Sequence, residues 1–65
     1  MKFTIKQARQ YAGLTQKEVA NQLGVGIATY RTYEWGNSQM RMDKAKEFSK
    51  LTGIDLDNLI FLQSK

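Results

Sequence analysis

Glycine stands at positions 13, 24, 26, 36 and 53 of a chain that has no proline, and between these glycines the apolar residues recur at helical rather than alternating spacing. Such punctuation predicts short helices joined by tight turns, because glycine reaches the left-handed backbone conformation that ends a helix. The first helix is expected over about residues 4–12, with Thr4 as N-cap, Ile5, Ala8 and Ala12 at helical spacing, and Gly13 as the stop. The second opens on Thr15-Gln16-Lys17-Glu18, a capping box in which the hydroxyl and the carboxylate each satisfy an orphan backbone amide. Val19, Ala20 and Leu23 give this helix its inward stripe, and Gly24 closes it. A third helix is expected over 27–35, closed by Gly36, and a fourth over 42–52, closed by Gly53. A fifth is expected over 56–62, capped by Asp55, and strands are not expected. The expected fold class is therefore all-α, a compact bundle of five helices.

With 65 residues the chain makes one domain, 1–65, and its 42% hydrophobic and 25% charged composition is that of an ordinary soluble globule. The longest apolar run, Leu59 to Leu62, is far shorter than the roughly 18 residues of a membrane span. The start lacks the apolar core of a secretory signal, so a cytoplasmic protein without membrane contact is expected. The absence of Cys and His removes the usual zinc ligand sets, thiol catalysis and a Ser-His-Asp relay. The six acids are scattered, so no enzyme, no metal and no cofactor is expected. Gly24-Val25-Gly26 does not read as a phosphate loop, since the further glycine and lysine are missing.

The net charge of +4 is unevenly placed. Residues 1–42 hold Lys2, Lys6, Arg9, Lys17, Arg31 and Arg41 against Glu18 and Glu34, whereas residues 43–65 hold four cations and four acids. A basic excess confined to one part of a small domain suits a polyanion such as nucleic acid. That same part contains two short helices around Gly24-Val25-Gly26, the proportions of a helix-turn-helix. At 100° per residue from Ile27, Thr29, Tyr30, Tyr33 and Glu34 fall between about 200° and 340°, and Ile27, Ala28, Arg31, Thr32 and Trp35 between 0° and about 140°. The tyrosine face is expected to pack inward. The other face, with its isoleucine, cation, hydroxyl and indole, calls for a partner.

The runs Gly13-Leu14-Thr15-Gln16-Lys17-Glu18-Val19-Ala20, Leu23-Gly24-Val25 and Tyr33-Glu34-Trp35-Gly36, with Leu51-Thr52-Gly53-Ile54-Asp55-Leu56-Asp57-Asn58-Leu59, resemble the phage repressor/Cro-type (XRE-type) helix-turn-helix family over about residues 5–60. The resemblance implies a lambda-repressor-like domain with a helix-turn-helix formed by helices 2 and 3. Its third helix would read the major groove of double-stranded DNA, commonly as a two-fold dimer on a palindromic operator. It implies a transcriptional regulator, in the manner of a short Cro-like repressor. The reading from another class is a helix-turn-helix used as a protein-interaction module, for a toxin or another regulator.

Carried over by matching positions, the resemblance gives Gln16 and Lys17 phosphate contacts at the start of the second helix. Gly26 falls on a further phosphate-contacting position, although it lacks the hydroxyl or amide usual there. Asn37 and Arg41 fall in a backbone-clamping loop whose amide hydrogens also meet phosphates. Arg9 and Glu34 match an ion pair that ties the first helix to the third. Base reading falls to Ile27, Ala28, Arg31 and Thr32: the first two can meet thymine methyls, Thr32 can donate or accept, and Arg31 could take a guanine edge. Trp35 either packs against the following loop or lies beside a phosphate or sugar. Leu59, Ile60 and Phe61 cannot all face one small core at helical spacing, so a weak homodimer is expected through Ile60, Phe61 or Leu62.

Overall fold

A computed structural model of the protein describes residues 2–61. Among the described residues the elements run β1 (Phe3–Thr4), α1 (Ile5–Tyr11), α2 (Gln16–Leu23), α3 (Ile27–Trp35), α4 (Met42–Thr52), a 3-10 turn (Leu56–Asn58) and β2 (Leu59–Ile60). Four α-helices are thus present, at the boundaries that caps and glycines indicated.

Local chemistry fixes the starts of the first two helices. The Thr15 hydroxyl accepts from the Glu18 amide at 3.1 Å while the Glu18 carboxylate accepts from the Thr15 amide at 2.8 Å. Those hydrogen bonds, backbone first and then side chain, hold the Glu18 carboxyl below its ordinary range. Thr4 makes the same reciprocal pair with Gln7, at 3.1 and 3.0 Å, so α1 also begins with a capping box. At the far end of α2, Gly24 takes φ 72°, which lets the chain reverse so that the Val25 amide donates to the Ala20 carbonyl at 3.0 Å. Lys44 reaches over from α4 and donates to the neighbouring Leu23 carbonyl at 2.6 Å, satisfying another orphan acceptor of the helix end.

One core joins all the elements. Ile5 and Ala8 from α1, Val19, Ala20 and Leu23 from α2, Tyr30 and Tyr33 from α3, and Ala45 and Phe48 from α4 are buried together, with Met40, Ile54 and Leu59 closing the ends. The helix-turn-helix pair α2 and α3 packs directly together, and α4 covers α2 from another side. Met40 anchors the connector from α3 to α4, so the loop that carries Asn37 and Arg41 is tied to the core at one point.

The expected fifth helix is not formed. Asp55 makes no side-chain cap, a single 3-10 turn follows, and the chain then runs extended as β2 beside β1, parallel, with Phe3 opposite Leu59 and Thr4 opposite Ile60. Consecutive apolar residues that include β-branched and aromatic side chains suit a strand once a partner is available, and the residues just before α1 supply one. Extended backbone buries Leu59 and leaves Ile60 and Phe61 half-buried, whereas a helix would have sent the three around its axis. Lys2 donates to the Asp57 carbonyl and closes this seam. The surplus helical face expected to make a dimer is therefore absent; Phe61 packs against the core, and Leu62 lies outside the described residues.

Candidate nucleic-acid interface

The outward side of α3 is held in place by what lies beneath it. Tyr30 and Tyr33 are buried with their rings edge to face, centroids 6.3 Å apart. Ile27, Ala28 and Arg31 are exposed, and Thr32 is half-buried. Thr29, which the helical angle groups with the tyrosines, is exposed as well. The Thr32 hydroxyl donates to the Thr29 carbonyl at 2.6 Å, so its proton is engaged within the helix and the oxygen is left as an acceptor. Trp35 is 58% exposed, so its indole is not buried against the following loop. The Gly26 N-cap gives α3 no side-chain cap.

Behind this surface lies a polar cluster centred on Glu34, itself buried. The expected Arg9–Glu34 pair is present, Arg9 Nε donating to Glu34 Oε2 at 2.6 Å. The Tyr30 hydroxyl donates to the same oxygen at 2.6 Å, and Gln16 Nε2 donates to Oε1 at 3.0 Å. Arg9 also donates through Nη1 to the Leu14 carbonyl at 3.0 Å, fixing the turn that leads into α2. Burial pushes the Glu34 carboxyl up, but the hydrogen bonds from Arg9, Tyr30 and Gln16, with the charge of Arg9, outweigh it and hold the group below its ordinary range. The bond to Glu34 raises Arg9, against burial. Burial, then the bond to Glu34 and its charge, push the Tyr30 phenol far up, so it acts as a donor. Tyr30 and Glu34 stand one turn apart on one helix, a spacing that carries the signal for their contact. Nothing in sequence spacing indicates that Gln16 joins them.

Of the flanking polar residues, Gln16 and Lys17 open α2, and Asn37 and Arg41 lie in the connector between α3 and α4. Gln16 is half-buried at the first position of α2 and Lys17 beside it is exposed; Asn37 and Arg41 are exposed on the far side. The Asn37 and Ser38 amides, however, both donate to the Thr32 carbonyl, at 3.0 and 3.3 Å. Those two amide hydrogens close the end of α3, which removes them from the expected phosphate clamp. Arg41 begins α4 without a side-chain cap bond. Among the described residues no group of three or more acidic, His or Cys side chains could hold a metal ion.

A helix-turn-helix family pattern matches residues 5–59. Over 56 residues the chain is 34% identical to the cryptic phage CTXphi transcriptional repressor RstR of Vibrio cholerae, covering 86% of this chain and 50% of that protein. The chain thus spans about half the length of this relative. No solved structure matches it.

Proposed function

The chain belongs to the helix-turn-helix family, and from that premise we propose that it is a sequence-specific double-stranded DNA-binding transcriptional regulator, acting as a repressor by occupying operator DNA. The observation that carries this reading is the exposed face of α3, presented by buried Tyr30, Tyr33 and Glu34 and flanked by the exposed cations Lys17 and Arg41. In the proposed complex α3 lies in the major groove. Ile27 and Ala28 meet thymine methyls, Thr32 offers its hydroxyl, and Arg31 brings the cation of this face to base or backbone. Lys17, Asn37 and Arg41 set the register on phosphates, Gln16 stands at the phosphate anchor that opens α2, and the backbone at Gly26 lies close to the DNA. The activity is binding, with no catalytic step and no cofactor. Two copies would occupy a palindromic operator as a weak homodimer, with half-sites about 34 Å apart. No helix among the described residues is long and apolar enough to cross a membrane.

Selection from a random duplex pool tests the reading. A selected duplex should bind about 10³-fold or more tightly than a scrambled one at physiological salt. Three phosphates neutralised per protomer, six for the pair, would weaken binding roughly 10³-fold between 50 and 200 mM salt. Equal, micromolar affinity for both duplexes would refute sequence-specific recognition. The exposed Ile27 and Trp35 favour a second reading, a protein-interaction module. Under that reading binding to a partner would be nearly insensitive to salt.

A further inference from the structure

The hydrogen bonds around Gln16 turn its amide in a defined direction. Nε2 is held by the buried Glu34 at 3.0 Å, which directs Oε1 away from the core. An oxygen with two lone pairs is the wrong group to meet a phosphate. In this protein that oxygen is covered: Arg31 Nε donates to it at 3.3 Å. The guanidinium is a planar fork with five donors. With Nε committed to Gln16, no described residue bonds its Nη atoms. The first turn of α3 presents Ile27 and Ala28, which have no hydrogen-bonding side chain to compete for Gln16.

We infer that the phosphate anchor at the start of α2 is composite: Arg31 makes the phosphate contact through its Nη atoms, and Gln16, oriented by Glu34, is the positioning residue that aims it. Arg31 is then a backbone-contacting residue, not a reader of guanine. The inference rests on the DNA-binding reading above. A neutral amide supplies no charge to a phosphate, whereas a guanidinium fixed at one edge supplies two parallel donors and a full cation.

The experiment compares the parent, Arg31→Ala, Gln16→Ala and the double variant on the selected duplex and on a set of its single-base variants, at several salt concentrations. Arg31 is exposed, so Arg31→Ala keeps the fold, which its thermal melt verifies. Arg31→Ala is expected to weaken binding about tenfold on every duplex alike and to make the salt dependence shallower by about 0.9 per lost contact. The order of base preferences is expected to stay unchanged. Gln16→Ala is expected to give most of the same loss, and the double variant no more than Arg31→Ala alone, because the two act as a unit. Loss of preference at one base pair on Arg31→Ala would overturn the inference and make Arg31 a base reader, leaving the DNA-binding reading intact. Additive losses in the double variant would also overturn it. A parent with no salt-dependent DNA binding would overturn the reading itself, and the anchor with it.

Discussion

Replacing Glu34 by Gln keeps the shape of the side chain and removes its charge from the centre of the polar cluster. Arg9 and Tyr30 both donate to Oε2 at 2.6 Å, and Gln16 donates to Oε1 at 3.0 Å. An amide has one oxygen. If it faces Arg9 and Tyr30, its nitrogen meets the Gln16 nitrogen, donor against donor, until Gln16 turns round. Hydrogen bonds to a charged group contribute roughly 1.5–3 kcal/mol and neutral ones about 0.5–1.5, so the Tyr30 bond weakens by about 1 kcal/mol, while the Arg9 bond keeps its charged donor and loses the attraction of the ion pair. A fully buried pair broken on one side costs roughly 3–5 kcal/mol. The Arg9 side chain is 13% exposed, so water takes up part of its charge and a loss of about 2–3 kcal/mol is expected. In a domain of this size that lowers the melting temperature by roughly 10–20 °C. Circular dichroism of both proteins at neutral pH measures it. The loss should also depend on pH. Glu34 in the fold ionises below its ordinary range, so its contribution is fully present above the unfolded value near about 4.3 and disappears as pH falls through the folded value. The gap between parent and Glu34→Gln should therefore close in acid. Equal melting at neutral pH, or a gap that persists in acid, would refute the reasoning.

Gly26→Ser adds a side-chain cap to α3 where the backbone is already extended and where an added Cβ meets nothing within 4 Å; it should stabilise the fold by about 0.5–1 kcal/mol, and an unchanged or lower melting temperature would contradict this. Thr15→Ala removes the hydroxyl that accepts from the Glu18 amide and should cost about 1 kcal/mol in urea denaturation. Tyr30→Phe deletes a single donor to Oε2 and should cost roughly 1.5 kcal/mol while leaving DNA affinity within about twofold of the parent; a larger loss of affinity would place Tyr30 in the DNA-aligning part of the cluster. On a selected palindromic duplex, sedimentation should give two chains per duplex, and one chain at saturation would remove the homodimer.

Much of the fold is legible in the sequence because its signals are local. Thr15 and Glu18 announce a helix start three residues apart, and Gly24, Gly36 and Gly53 announce helix ends. The last segment misleads for a physical reason: Leu59, Ile60 and Phe61 are compatible with helix or strand, and the choice depends on Phe3 and Thr4, far away in the chain. The site divides in the same way. The face of α3 follows from helical angle, and Arg9–Glu34 from the resemblance. That Gln16 turns its amide toward Glu34, or that the Asn37 and Ser38 amides fold back on Thr32, depends on tertiary placement to which spacing is blind.

The two oxygens of Glu34 serve different parts of the molecule. Oε2 collects Arg9 and Tyr30 and holds α1 and α3 around the core, whereas Oε1 holds Gln16 and through it Arg31, at the surface proposed to meet DNA. A buried carboxylate with only the first set would be a weak stabiliser, since desolvation offsets much of what the ion pair returns. Its second oxygen does what a hydrophobic replacement could not. It holds a neutral amide that accepts in turn from a surface cation, so in the proposed complex less side-chain freedom would be lost on binding. Replacing the cluster with well-packed apolar residues could therefore preserve the fold and still weaken recognition.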